Sequence, residues 1–182
     1  IFINFILLFL TIKNKNSDKN IILISNKTSG HISNILSIAQ DLKKSNYNPI
    51  FFLNDSKHEE DIFKLYNFKY YKFRSIYETY KLLKKLNPEY ILSSGGGFSI
   101  PIIKLATFMD INTGAIEPNY YLGRGNTMMS PYCKIFSTNF DNKKYFGKNF
   151  IHQNNPIRGN IKNIKKSKVN LVNHNLNNLL IL

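Results

Sequence analysis

The sequence predicts an α/β fold, a parallel doubly wound sheet with helices on both faces. Two observations carry that prediction. Short runs rich in Ile, Leu and Phe alternate along the chain with stretches whose apolar residues recur at helical spacing. Alternation sustained over this length calls for βαβ crossovers and hence a parallel sheet. In addition, two strand-to-helix junctions are turns of small and polar residues: Asn26-Lys27-Thr28-Ser29-Gly30-His31 and Ser93-Ser94-Gly95-Gly96-Gly97-Phe98-Ser99. Turns of that kind sit at the carboxyl edge of such sheets, where ligands bind. The chain has 182 residues, 43% of them hydrophobic, enough for one domain with its own core.

The elements follow in order. Ile21–Ser25 is the first strand. His31–Ser45 is a helix with Ile32, Ile35, Leu36, Ala39 and Leu42 on one face. Pro49–Leu53 is a short apolar strand, and His58–Tyr66 a helix with Asp55 or Ser56 as its cap. Tyr70–Phe73 reads as a strand. Ser75–Leu86 is a helix with Ile76, Tyr80 and Leu83 on one face, ended by Asn87-Pro88. Tyr90–Ser93 is the next strand, followed by a helix over Pro101–Met109 opened by Ser99. Thr113–Glu117 is a strand, Asn126–Tyr132 a short helix, and Lys134–Ser137 a strand. Asp141–Phe146 is a helical turn, and Phe150–His152 closes the sheet.

Three segments are expected. Residues 1–20 are an extension, apolar over Ile1–Ile12 and polar thereafter. Twelve residues fall short of the roughly 20 that span a bilayer. The extension reads as the tail of a membrane helix, a remnant of a signal sequence, or an appendage outside the fold, and the last is preferred. Residues 21–160 form the domain. Residues 161–182 are a Lys- and Asn-rich linker leading to an apolar run, Leu179–Leu182, that reads as the first strand of a further domain.

The net charge is +14, from 25 basic and 11 acidic residues. Such a balance suits anionic lipid, nucleic acid or a phosphorylated ligand. Only Arg74, Arg124 and Arg158 are arginines, however, and the abundance of Lys, Asn, Ile, Phe and Tyr matches a bias toward A/T-rich codons. No arginine cluster suited to base readout is present, so no nucleic-acid partner is expected. Cys133, the single cysteine, cannot form an intrachain disulfide, and no metal-ligand cluster surrounds it. A reducing, cytoplasmic setting fits.

The first turn leaves helix N–H groups free beside a positive dipole end, which makes an anion site. Small residues at such a turn also serve backbone geometry alone. His31, at the helix start, is biased toward the neutral form and suits a base or acceptor for a sugar hydroxyl. It equally suits a structural role. Gly95-Gly96-Gly97 costs backbone entropy, which close approach of a ligand would explain. Neither turn is a phosphate-binding Walker loop or a dinucleotide fingerprint. Glu117 and Asn119, flanking Pro118 after a strand, suit either a turn or hydrogen bonds to sugar hydroxyls. Arg158, after Asn155-Pro156, is a planar donor for phosphate or a solvated surface charge.

Taken together these segments resemble the amino-terminal half of the MurG family, the glycosyltransferases of peptidoglycan synthesis. The family's Gly-Gly-Thr-Gly-Gly-His turn corresponds to Asn26–His31, and its Gly-Gly-Tyr-x-Ser-x-Pro to Gly95–Pro101. Its His-Glu-Gln-Asn corresponds to Ile116–Asn119, its Gly-x-x-Asn to Gly123–Asn126, and its Gly-Asn-Pro-Val-Arg to Asn154–Arg158. Asn26, Lys27 and Ser29 replace glycines of the family turn, and Gly97 replaces a tyrosine. The resemblance implies a GT-B fold, in which two Rossmann-like domains face a cleft, and a peripheral enzyme at the cytoplasmic face of the bacterial inner membrane. It implies transfer of N-acetylglucosamine from UDP-GlcNAc to lipid I, without a cofactor or metal.

On that resemblance Thr28, Ser29 and Gly30 line the donor site, with Asn119 and Arg158 also contacting UDP-GlcNAc. The Gly95-Gly96-Gly97-Phe98-Ser99 turn faces the acceptor diphosphate, Asn126 joins the substrate-binding set, and His31 and Glu117 are the acid/base candidates. Lys81–Lys85 with Tyr70, Tyr71 and Phe73 suit an anionic membrane surface. The carboxyl-terminal donor domain is not in the sequence, so the chain by itself is expected to be inactive. Two alternatives stand beside this reading. One is the acceptor-side subunit of a split lipid-linked-sugar transferase. The other is a non-catalytic module that binds anionic lipid or nucleic acid.

Overall fold

The computed structural model describes residues 19–26, 29–138, 140 and 150–152. Its seven strands form one sheet in the order β3-β2-β1-β4-β5-β6-β7, parallel at every pairing. The strands are β1 (Asn20–Ile24), β2 (Asn48–Leu53), β3 (Lys69–Lys72), β4 (Tyr90–Ser93), β5 (Asn112–Glu117), β6 (Ile135–Thr138) and β7 (Phe150–His152). The helices are α1 (Ser29–Lys44), α2 (Lys57–Leu65), α3 (Ile76–Leu86), α4 (Ser99–Phe108) and α5 (Arg124–Met129).

β1 is buried along its whole length, which explains why it reads as an unbroken apolar run rather than an alternating one. Its alternate residues feed two cores. Ile21 and Leu23 pack with Phe51, Leu53, Phe63 and the apolar face of α1 (Ile32, Ile35, Leu36, Ala39, Leu42). Ile22 and Ile24 point the other way, toward Phe52, Leu83, Ile102, Ile103, Ala106 and Met129 of the opposite layer. The chain therefore winds α1 and α2 on one face and α3, α4 and α5 on the other. The reversal falls between β1 and β4, where a doubly wound sheet opens a crevice at its carboxyl edge.

Local chemistry sets the boundaries. Ser56 and Ser75 cap α2 and α3, their hydroxyls accepting from the N–H groups of Glu59 and Glu78. Asn46, Asn67, Asn87 and Asp110 follow the first four helices and adopt positive φ, the left-handed exit that Asn and Asp tolerate. The short helix expected over Asn126–Tyr132 starts earlier, at Arg124, and changes into a 3₁₀ turn at Ser130–Tyr132. Pro131, which has no N–H to donate to an α-helical bond, accounts for the change. Ser99 is the first residue of α4 rather than a cap: Phe98 holds the cap position without a side-chain bond. The expectations for residues 1–18, the turn over 141–146 and the segment 161–182 lie outside the described residues.

Candidate functional site

The carboxyl ends of β1 and β4 are adjacent, and each delivers a turn to the crevice. Beyond β4, the Ser94 N–H donates to the Ile24 carbonyl at 3.1 Å, tying the second turn to the end of the first strand. Gly95 and Gly96 then take φ of +106° and +92°, which explains glycine at both. Space is the second reason. A β-carbon on Gly95 would come 3.2 Å from His31 Cε1 and 3.2 Å from Asn126 Oδ1, and one on Gly96 would come 2.5 Å from Asn26 Nδ2. Gly97 and Gly30 have open space where a side chain would be, so neither is demanded by packing. The Ser99 hydroxyl is buried and donates to the Gly95 carbonyl at 3.0 Å, bracing the turn from beneath.

β5 supplies the third element. Its last residue, Glu117, is 2% exposed, and its carboxylate is filled by four donors. Oε1 accepts from the Asn119 N–H at 3.0 Å and from Asn119 Nδ2 at 2.8 Å. Oε2 accepts from the Gly123 N–H at 2.8 Å and Asn126 Nδ2 at 2.9 Å. One buried carboxylate thus organises the entire Pro118–Asn126 loop. The loop in turn brings α5 onto the glycine turn: Gly125 approaches Gly96 so closely that a β-carbon on it would lie 2.8 Å from the Gly96 carbonyl carbon.

The structure therefore gathers His31, Gly95, Gly96, Glu117, Asn119 and Asn126 at one place, from four separate stretches of chain. Gly30 lies on the same helix start, exposed to solvent. Ser29 begins α1; Thr28 and Arg158 lie outside the described residues. Three participants escaped the sequence reading. Asn26 covers Gly96, and Gly125 abuts it. Gly125, second in a helix where glycine is unfavourable, carried a signal that could have been noticed. Glu59 is the third, a fully buried carboxylate in the first turn of α2 that accepts from the Ser25 hydroxyl at 2.5 Å, just below the first turn. Acidic residues in a helix's first turn ordinarily face solvent, so nothing in the local sequence marked it.

A separate groove, about 540 Å³ in volume, lies between β3 and α3. Tyr70, Tyr71, Phe73, Arg74, Lys81 and Lys85 are among its lining residues. Lys72 is neutralised there by Glu60 at 2.6 Å and Asp55 at 3.3 Å. That pairing holds the Glu60 carboxyl below its ordinary range and raises the Lys72 ammonium, the Lys72–Glu60 hydrogen bond being the largest cause for each. Phe73, one of its lining residues, meets Phe98 edge-on at 5.3 Å.

The sheet order and the loop cluster at its switch point define a Rossmann-like α/β domain with a candidate ligand crevice. No protein-family profile matches the chain. The N-acetylglucosaminyl transferase of Finegoldia magna, named for its pyrophosphoryl-undecaprenol substrate, is 29% identical over 175 residues, covering 82% of this chain and 47% of that protein. The same enzyme of Caldicellulosiruptor saccharolyticus is 27% identical over 165 residues, 76% of this chain and 45% of its own length. In fold, MurG of Acinetobacter baumannii superposes with a TM-score of 0.70 at 17% identity, over 76% of this chain and 46% of that one. A UDP-GlcNAc 2-epimerase of Neisseria meningitidis superposes at 0.61 with 12% identity, over 75% of this chain and 46% of that one. The chain is similar in sequence and fold to these transferases, and it spans about half the length of the curated relatives it matches.

Proposed function

We propose that this chain is the acceptor-side half of a transferase that moves N-acetylglucosamine from UDP-GlcNAc to lipid I. The observation that supports it most is the convergence of His31, the Gly95-Gly96 turn and the Glu117–Asn126 loop at the crevice between β1 and β4. In the reaction, the acceptor hydroxyl oxygen bonds to the sugar's C1, the bond from C1 to the UDP oxygen breaks, and the hydroxyl proton passes to a base. Glu117 has its oxygens engaged by four N–H donors, so His31 is the base in this reading. The N-terminus of α1 and the glycine turn offer dipoles and close backbone approach to phosphate oxygens. Thr28, Ser29, Gly30, Asn119 and Arg158 are assigned to UDP-GlcNAc, and Gly95, Gly96, Ser99 and Asn126 to the acceptor side.

Titration of a soluble lipid I analogue into the chain tests the acceptor assignment. Binding is expected, weakened at least tenfold by Gly96→Ala. Equal affinity for the analogue and for the same sugar without its diphosphate overturns it. With the carboxyl-terminal half of the Finegoldia magna relative added, labelled sugar from UDP-GlcNAc should appear on the analogue.

The groove between β3 and α3 is assigned to an anionic membrane surface, in keeping with a peripheral enzyme of the cytoplasmic face. Its aromatic floor and the cations Arg74, Lys81 and Lys85 support this, each well-placed cation contributing about 1 kcal/mol at such a surface. No helix among the described residues is long and apolar enough to cross a membrane. Vesicle flotation with and without anionic lipid tests the assignment, and equal binding to neutral vesicles counts against it.

A further inference from the structure

The loop after β5 holds two aromatic rings open to solvent. Tyr120 is 50% exposed and Tyr121 70%, and Phe140, just past β6, is 37% exposed. The three rings form one patch. Centroids lie 4.9 Å apart for Tyr120 and Tyr121 and 5.3 Å apart for Tyr120 and Phe140, with the planes inclined at 82° and 67°. Apolar surface left exposed as a contiguous patch marks a binding site more often than a solvated face. A loose loop does not account for the exposure. The Glu117 carboxylate accepts from the Asn119 N–H before the tyrosine pair and from the Gly123 N–H after it, at 3.0 and 2.8 Å, so the span carrying the rings is pinned at both ends. β5 and β6 run parallel to β4, which puts the patch on the same carboxyl edge of the sheet as the glycine turn. It stands four strand spacings from β3 and the basic groove, about 19 Å.

The chemistry around the rings narrows the occupant. In a chain with 25 basic and 11 acidic residues, Arg124 is the only charged residue between Pro118 and Met129. A rim so nearly uncharged fits a neutral group better than a phosphate or an acidic lipid. Asn119 is exposed, and its two N–H donors to Glu117 leave Oδ1 available to accept from a ligand. Neither tyrosine hydroxyl is engaged among the described residues. A tyrosine ring presents a negative face to weakly positive C–H groups, and fixing it costs only two torsions. A pyranose has the matching character, a face of C–H bonds bordered by hydroxyls. An N-acetyl group adds a methyl for the rings and an amide N–H for an acceptor. We propose that Tyr120, Tyr121 and Phe140 form a platform on which the pyranose ring of an N-acetylhexosamine lies, with Asn119 Oδ1 accepting from its polar border. The inference rests on the reading of the crevice as a site of sugar transfer. The sugar belongs either to the nucleotide donor or to the lipid-linked acceptor, and the experiment separates the two.

The test is ¹³C–¹H correlation of the tyrosine rings in labelled chain titrated with methyl N-acetyl-β-glucosaminide. The signals of Tyr120 and Tyr121 are identified by their loss in Tyr120→Leu and Tyr121→Leu. Both should move along a saturating curve, while Tyr77, 65% exposed on α3, stays in place. Rings that do not move, a Tyr77 shift equal to theirs, or equal shifts with uridine overturn the proposal. Tyr121→Ala removes a largely exposed side chain and should leave the fold intact. It should raise the Kd of the platform's sugar source at least fivefold, read by titrating UDP-GlcNAc and the soluble lipid I analogue separately. The ligand whose Kd rises is the source, and a rise for neither overturns the proposal. The monosaccharide carries no diphosphate, so the two readings fail separately. Shifting rings in a chain that does not distinguish the lipid I analogue from its sugar without diphosphate would count against the proposed function alone. Diphosphate-dependent binding with motionless rings would count against the platform alone.

Discussion

Gly125 and Gly96 meet backbone to backbone: a β-carbon on Gly125 would lie 2.8, 2.9 and 3.0 Å from the carbonyl carbon, nitrogen and α-carbon of Gly96. No side-chain rotation relieves such a contact, because the obstructing atoms belong to the main chain. Gly125→Ala should therefore lower the unfolding free energy by about 1–3 kcal/mol. Gly30 and Gly97 have open space around the same position and φ outside the left-handed region. Gly30→Ala, inside α1, should be neutral or stabilising by up to about 1 kcal/mol. Urea unfolding of the two variants checks the contrast, and equal losses would remove the packing explanation.

Glu117→Ala leaves four N–H donors without their acceptor in a buried loop. A loss of about 3 kcal/mol or more is expected, since hydrogen bonds to a charged group are the stronger kind and unmet buried donors add to the cost. Glu117→Gln keeps the shape and part of the acceptor capacity and should lose less. Amide exchange should show the damage confined to Pro118–Asn126 and the glycine turn, the segments that this carboxylate ties together.

Cys133 and Tyr90 set a limit on alkaline stability. Burial pushes the Cys133 thiol from its ordinary 9.0 to about 12 and the Tyr90 hydroxyl from 10.0 to about 12. Both groups are neutral when protonated, and the folded state resists their ionisation more than the unfolded chain does. Their contribution is fully present below pH 9 and is lost as the pH climbs from there toward 12. A thermal melting series should be flat in this respect up to pH 9 and fall above it. At neutral pH a thiol reagent should label Cys133 only after denaturant is added. Glu60 works in the opposite direction: its lowered carboxyl contributes above its ordinary value of 4.5 and the contribution disappears as the pH drops through that range.

Phe51 stacks on Phe63 with ring centroids 3.8 Å apart, and both are fully buried between β2 and α2. Phe51→Ala should cost about 3–5 kcal/mol, against about 1 kcal/mol for removal of the α3 cap in Ser75→Ala. Chemical denaturation of both variants separates a core effect from a helix-end effect within the same half of the sheet.

Much of this architecture was legible before any coordinates. The strands, the helices and the placement of two glycine-bearing turns at one sheet edge follow from hydrophobic periodicity, caps and small-residue punctuation, all of which act within a few residues of chain. β1 read as a strand from its unbroken apolar run, and helix ends read from Asp55 or Ser56 as a cap and from Asn87-Pro88 as a stop. The candidate cluster was legible as a set of segments, and His31, Gly95 and Glu117 were each singled out from local chemistry. Their relation to one another was not. That Gly95 faces His31 and Asn126, that Gly96 lies beneath Asn26 and against Gly125, and that Glu117 binds its loop instead of standing open, are contacts between residues up to about seventy positions apart. Local periodicity and turn chemistry determined the elements of this protein and their alternation. Only the tertiary structure, through the long-range pairing of β1 with β4 and the packing of α5 on the glycine turn, decided which polar atoms meet, because hydrogen-bond partnership depends on ångström-scale approach that no short stretch of sequence encodes.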